Sequence, residues 1–413
     1  MNTYTYEKNN RLLERAKRVT PRGIQGHLGV TYSTPLDCYP IFSERAKGAY
    51  FWDADGNRFI DYMCAYGPNV LGYRDDDVDA AAMEQMKKED FCSTPSPILI
   101  DFAELLVDTV DMADWAFFAK NGSDVTNFAY MVAKSATGRE KIIMVKGNYH
   151  GSLPWMQDTG SPGTVSGEQA NVIYVEWNDT AQVEQAIAEN PGQIACFMST
   201  PYFHPTFAKN IMPADGYWQK IRKLCTDNGI VLAIDDVRCG FRLDLRGSDK
   251  YFGIKADLMC FCKALANGYS VSALCGIDAL KAYAGGIIYT GSYWLSAVPF
   301  AAAIATIKKL KAIDGANYMQ AIGRKYTDGL LKLAASHGFN MEISGAPSLF
   351  FFNIKDSAEI NEMWIAECVR RGVFLTRFHN HFICCSMTEE DVDFSLEVAD
   401  EAFQAVKGVI CRT

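Results

Sequence analysis

The sequence has no run of about 18 uninterrupted apolar residues, so no segment is expected to span a bilayer. Met1 to Arg18 is polar and charged and lacks the apolar core of a secretory leader. Excess positive charge is also missing: 40 lysines and arginines face 49 aspartates and glutamates, a formal charge of −9. General affinity for nucleic acid or anionic lipid is therefore not expected. Internal repeats, low-complexity tracts and long linkers are absent. No Gly-x-x-x-x-Gly-Lys-Ser/Thr loop occurs, and no Gly-x-Gly-x-x-Gly follows a strand, which leaves nucleotide-binding folds without support. Metal-site spacing is lacking too. Cys260-x-Cys262 and Cys384-Cys385 sit in apolar runs that read as buried strands, and His379-x-His381 is not an i, i+4 pair. The turn in Tyr50 to Asp61 has no closing glutamate for a calcium loop, so no metal is expected.

What is present is a large apolar fraction, 49% of 413 residues against 22% charged, enough to form a core and to exclude disorder as the main character. Two or three packed units are expected at this length. The 13 cysteines are odd in number and scattered, and without a leader they read as reduced thiols of a cytoplasmic protein.

The middle of the chain alternates short apolar runs with amphipathic stretches. Strands are expected at Trp115–Ala119, Lys141–Val145, Val172–Val175, Ile194–Ser199, Ile230–Ile234 and Leu258–Cys262. Helices are expected over 123–137, 180–189 and 215–227, the last stopped by Asn228-Gly229. That alternation predicts an α/β domain with a mainly parallel sheet. The last third differs: helices over 297–313, 316–337 and 389–406, with short strand-like pieces between, form an α+β pattern. We therefore expect residues 1–60 to join a small domain with 301–413, and 61–300 to form the large domain. Tyr50 to Asp61 reads as a β-hairpin around an Asp-x-Asp-Gly-Asn turn.

Four places carry chemistry. Asp235 and Asp236 follow a buried apolar strand, at the sheet edge where open α/β folds bind ligands. That one of the two caps a following turn is an equal reading. Lys263 ends the apolar run Leu258 to Cys262, where a desolvated lysine becomes an amine nucleophile. Alone, the reading as a lysine reaching for solvent wins. Asn121-Gly122-Ser123 lies between a strand and a helix, a place suited to a phosphate or to an ordinary N-cap. Tyr149, before His150-Gly151, is an aromatic ring near a strand end that can stack on a flat ligand or simply pack. Together, an acid for a ring nitrogen, an amine for an aldehyde, a phosphate cradle and a stacking ring are what pyridoxal 5′-phosphate requires.

With these residues in order, the chain resembles the class III (fold type I) pyridoxal-phosphate aminotransferases, in a pattern similar to glutamate-1-semialdehyde aminomutase. The similarity runs over nearly the whole chain: Glu14 to Arg18, Gly48 to Gly56, Gly67 to Gly72, Asn121 to Ser123, Tyr149 to Gly151, Asp235 to Arg242 and Lys263. The resemblance implies a large domain with a mainly parallel seven-stranded sheet, a small α+β domain from both chain ends, and a homodimer with shared active sites. It implies Lys263 as the Schiff-base lysine and Asp235 as the partner of the pyridine nitrogen. Val237 and Tyr149 would take the two ring faces, and Gly122 and Ser123 the phosphate. Either Thr290 or Ser292 would reach the phosphate of the partner subunit.

The departures bear on substrate. Asp236 stands where the family has Glu, and Thr200-Pro201 where it has Glu-Pro. No arginine stands at the position of Gly29, where the aminomutases bind a substrate carboxylate. Arg377 is the replacement candidate for a carboxylate, through its planar fork, with an internal ion pair as the alternative. Tyr66 and Tyr32 are further candidates for the substrate pocket. The expected activity is transfer of an amino group between an amine or amino acid and a keto or aldehyde acceptor, both small molecules. An isomerase (aminomutase or amino-acid racemase/epimerase) would use the same lysine without a second substrate. A non-catalytic ligand-binding protein of this fold would have no chemical need for Lys263 and Asp235.

Overall fold

The computed structural model describes residues 4–24 and 38–410. The chain divides into two compact units. One comprises Asp76–Pro205 with Ile211–Ala316, and the other Met1–Asp75, Thr206–Asn210 and Asn317–Thr413.

The first unit is built on seven strands. From one edge their order is Trp115–Ala119, Ser272–Gly276, Leu258–Phe261, Val231–Asp235, Ile194–Ser199, Lys141–Val145 and Val172–Val175. The last five run parallel to one another. The central strands are continuous apolar runs because both sheet faces are covered: every residue of Ile194–Ser199, Val231–Asp235 and Leu258–Phe261 is buried. Helix Gly122–Thr137 packs across the sheet, its Val125, Phe128, Ala129, Val132 and Ala133 meeting Met144, Cys196, Ala233, Cys260 and Leu274. At the helix start the Asp124 carboxylate accepts the Asn121 N–H at 2.8 Å, satisfying a donor at the opening turn. Gly138, in a left-handed conformation, stops it.

The strand candidates stand within a residue of their expected limits; Ile230–Ile234 is shifted to Val231–Asp235. Strand Ser272–Gly276 has no counterpart in the sequence reading. It runs antiparallel to both neighbours, Leu258–Phe261 and Trp115–Ala119. Its Ser-Ala-Leu-Cys-Gly has little of the β-branched character that marks strands. Its glycine answers a packing need: a Cβ at Gly276 would lie 2.2 Å from Trp115 Cζ2.

In the second unit, Tyr50–Asp53 and Arg58–Asp61 form the expected antiparallel hairpin, extended by Ser43–Lys47 on one side and Val373–Phe374 on the other. The acidic turn works as a cap. Asp53 Oδ1 accepts the N–H groups of Asp55 and Asn57 at 3.0 and 2.8 Å. Asp55 accepts those of Lys8 and Asn9, each at 2.8 Å, at the start of helix Glu7–Val19, where a carboxylate is favoured. A three-stranded sheet of Met341–Ala346, Leu349–Ile354 and His381–Phe382 completes the unit with helices Ala358–Arg370 and Glu389–Ile410. Among the described residues, no helix is long and apolar enough to cross a membrane.

Candidate active site

Asp235 closes its strand, and its register partner on the neighbouring parallel strand is Cys260. Lys263 follows three residues later, in the 3₁₀ turn Lys263–Ala266, with a left-handed φ of +34°. Such a backbone is unusual for a side-chain-bearing residue and is found where surrounding structure enforces it. The acid and the amine thus leave adjacent strand ends on the edge where α/β sheets bind ligands. Burial, then the Arg238 guanidinium, brings the Lys263 amine down from its ordinary range to about 8, while Asp235 pulls the other way. That amine is part-charged near neutral pH, as a proton carrier requires.

Asp235 is 4% exposed and doubly anchored. His150 Nδ1 lies 2.7 Å from Oδ2, and the Val237 N–H donates to Oδ1 at 3.1 Å. Asp236 has different work. Ser248 donates its N–H at 2.9 Å and its hydroxyl at 2.5 Å to the Asp236 carboxylate, capping the turn that starts Ser248–Phe252. Burial pushes the Asp236 carboxyl well above the ordinary range. The acidic doublet therefore divides into one side chain tied to His150 and one spent on the fold.

The Gly122–Ser123 end of the long helix is shaped by what it touches. A Cβ at Gly122 would stand 3.1 Å from Val237 Cγ1, so the helix start lies close enough to that valine that any larger residue would make it give by a few tenths of an ångström. The Ser123 hydroxyl accepts the Ser152 N–H at 3.0 Å. A Cβ at Gly151, whose φ is +141°, would meet Ser123 Oγ at 2.5 Å. Thr126 Oγ1 donates to the His150 carbonyl at 2.7 Å, binding the helix to the segment that carries Tyr149. Tyr149 itself is 55% exposed, and its hydroxyl lies in the fields of Arg238 and Asp235.

These features fit pyridoxal phosphate. A phosphate can meet free helix N–H groups at a cradle whose glycines leave little room for a Cβ, an anchored buried carboxylate can face a ring nitrogen, and a depressed lysine amine can take an aldehyde. Thr290 and Ser292 belong to the same unit and are exposed, on a segment where Ile288 and Tyr293 are 95% and 68% exposed. Among the described residues, no group of three or more His, Cys, Asp or Glu side chains is arranged to hold a metal ion.

Arg377 and Tyr66 belong to the other unit. Arg377 shows the alternative arrangement: its guanidinium pairs with the Glu362 carboxylate and lies 3.8 Å from the centroid of the Phe378 ring. Tyr66 meets the His379 ring edge-on, with centroids 5.1 Å apart. It lines a cavity of about 270 Å³ within that unit, with Tyr39, Phe51, Asp61, Tyr73 and Phe374. Tyr32 and Gly29 lie outside the described residues. His150 and Arg238 were missed as site residues. Both stand in motifs read for other members, and no spacing signal joins His150 to Asp235 or Arg238 to His204.

The family model described as Aminotransferase class-III matches residues 31–407. The chain belongs to that family. This class-III aminotransferase is 39% identical over 398 residues to the aminopentol aminotransferase of Sphingopyxis macrogoltabida, covering 96% of this chain and 93% of the relative. It is 31% identical over 407 residues to the 3-aminobutyryl-CoA aminotransferase of Cloacimonas acidaminovorans, covering 97% of each. Among solved structures it superposes on the FumI protein of Sphingopyxis sp. MTA144, solved in a PLP form. That match has a TM-score of 0.94 and 38% identity, over 98% of this chain and 97% of that one. The enzyme has the fold type I architecture and transfers amino groups between an amine or amino acid and a keto or aldehyde acceptor, with pyridoxal phosphate as cofactor.

Proposed function

We propose that Lys263 holds the aldehyde carbon of the cofactor and Asp235 its ring nitrogen, with Val237 and Tyr149 on the ring faces and Gly122 and Ser123 at the phosphate. The observation that carries this is the emergence of Asp235 and Lys263 from adjacent parallel strands, the acid anchored by His150 and the amine depressed to about 8. When bound, the ring supplies a sink for the electron pair left as a proton departs from the donor's amine-bearing carbon. Lys263 carries that proton. His150 and the Val237 N–H hold the Asp235 carboxylate in one orientation.

The amino donor, in this reading, is an amine whose amino-bearing carbon has no carboxylate. Arg377, the candidate carboxylate fork, is engaged by Glu362, and Thr200 replaces the family's glutamate. The two relatives named above act on an aminopentol and on 3-aminobutyryl-CoA by their names. A second copy of the chain covers the exposed 288–295 segment, and Thr290 or Ser292 of that copy completes the phosphate site, which makes the enzyme a homodimer. Its place is the cytoplasm, the compartment expected for a large chain whose 13 cysteines are odd in number and scattered.

The test is a half-reaction screen on the loaded enzyme, read by cofactor absorbance. Amino alcohols and β-amino compounds should change the spectrum without any acceptor present. A spectrum moved only by α-amino acids would overturn the substrate assignment.

A further inference from the structure

We propose that Ser152 is a further ligand for the cofactor phosphate: the loop that carries Tyr149 and His150 sets a second hydroxyl beside that of Ser123. The proposal rests on the phosphate position given to Gly122 and Ser123 above.

Contacts fix the placement. Ser152 Oγ lies 3.4 Å from Ser123 Oγ, and the Ser152 N–H donates to that same Ser123 oxygen at 3.0 Å. The loop is held to the helix at further points. The His150 carbonyl accepts from Thr126 Oγ1 at 2.7 Å, and the Gly151 carbonyl from Gln157 Nε2 at 2.9 Å. Gly151, at φ +141°, comes so near the helix start that a Cβ would stand 2.5 Å from Ser123 Oγ and 2.8 Å from Met156 Sδ. A side chain there would push loop and helix apart. The backbone of this loop is thus spent on the fold, while Ser152 itself is exposed. Among the described residues, its hydroxyl has the Ser123 oxygen as its one neighbour at hydrogen-bond distance.

The direction of the hydrogen bonds decides what the pair can hold. Ser123 Oγ already accepts from Ser152, so its own proton is left to donate. At 3.4 Å the two hydroxyls hold each other weakly, and both protons can turn to a stronger acceptor. The helix start adds the N–H groups of Gly122 and Ser123, which meet no acceptor among the described residues. A small anion with several oxygens suits such a set of donors. Hydrogen bonds to a charged oxygen are about twice as strong as neutral ones, and a helix N-terminus favours negative charge. A neutral carbonyl or alcohol would satisfy one or two of these donors and leave the others bare.

The test compares the cofactor with and without its phosphate. Apo protein is titrated with pyridoxal 5′-phosphate and with pyridoxal, read by absorbance, for the wild type, Ser152→Ala, Ser152→Thr and Ser123→Ala. Ser152→Ala should lower affinity for pyridoxal 5′-phosphate about 10- to 100-fold and leave pyridoxal within about 2-fold, the range of one hydrogen bond to a charged group. Ser152→Thr, which keeps the hydroxyl, should recover most of the loss. In loaded enzyme the phosphorus NMR signal of the cofactor should move in Ser152→Ala and return toward the wild type in Ser152→Thr. An unchanged ratio of the two affinities in Ser152→Ala, or an equal loss for both ligands, overturns the proposal. A ratio unchanged in Ser123→Ala as well puts the phosphate elsewhere and defeats the reading beneath this one, whereas a loss in Ser123→Ala alone defeats only the role of Ser152.

Discussion

His150 and Asp235, 85 positions apart, are joined by a 2.7 Å contact between Nδ1 and Oδ2 inside the protein. A buried carboxylate losing one of two partners is exposed to the full desolvation penalty, about 1–3 kcal/mol. His150→Phe should therefore weaken cofactor binding by about 10- to 100-fold, measured by absorbance titration of apo protein. Unchanged affinity would mean that Asp235 is oriented by the Val237 N–H alone.

Lys263→Ala should abolish turnover, with kcat reduced at least 10²- to 10⁴-fold, the range a positioned acid–base group contributes. Cofactor should still bind through its phosphate, detectable by dialysis and fluorescence. Wild-type kcat in this variant would refute the assignment.

The adjacent acids should separate cleanly. Asp235→Asn should impair cofactor function foremost, at some cost in stability, since the amide can still accept from Val237 but turns its N–H₂ toward His150 Nδ1. Asp236→Asn should destabilise the fold by about 1–2 kcal/mol, because one of the two Ser248 donors loses its carboxylate acceptor. The check pairs urea unfolding with half-reaction rates for each variant.

The apo protein should become more stable as pH rises from about 8 toward 10.5. The folded Lys263 amine titrates near 8, below its ordinary 10.5, so between those values the unfolded chain binds the extra proton. Below 8 the folded state carries the whole disadvantage of a charged amine. Lys263→Met should accordingly gain stability at pH 7, and the gain should vanish above 10.5. Urea midpoints of the two apo proteins across this range decide it.

Gly276→Ala should cost about 1–3 kcal/mol, because its methyl would overlap the Trp115 indole and force the edge strand outward. Thermal unfolding and Trp115 emission report this; a neutral outcome would show that the indole can move aside.

The parts of this molecule legible in advance are those whose signal is local. Apolar runs ending in Asp235 and Lys263 mark strands and the residues at their ends within a short window, and Asn228-Gly229 marks a helix stop. Ser272–Gly276 was not legible, because small residues there serve close packing on Trp115 and carry no alternation. His150, Arg238 and the division of labour between Asp235 and Asp236 depend on partners dozens of positions away. Arg377 had two readings of equal weight until Glu362, fifteen residues earlier, was seen beside it.

The antiparallel strand Ser272–Gly276 has a mechanical effect on the lysine. The chain leaves the sheet after Phe261 and returns with Ala273 in register opposite that same residue. The loop bearing the amine is thus pinned at both feet to one rigid support. Its reach during turnover comes from rotation about side-chain bonds, and whatever opens or closes around the reacting molecule has to be sought in other segments.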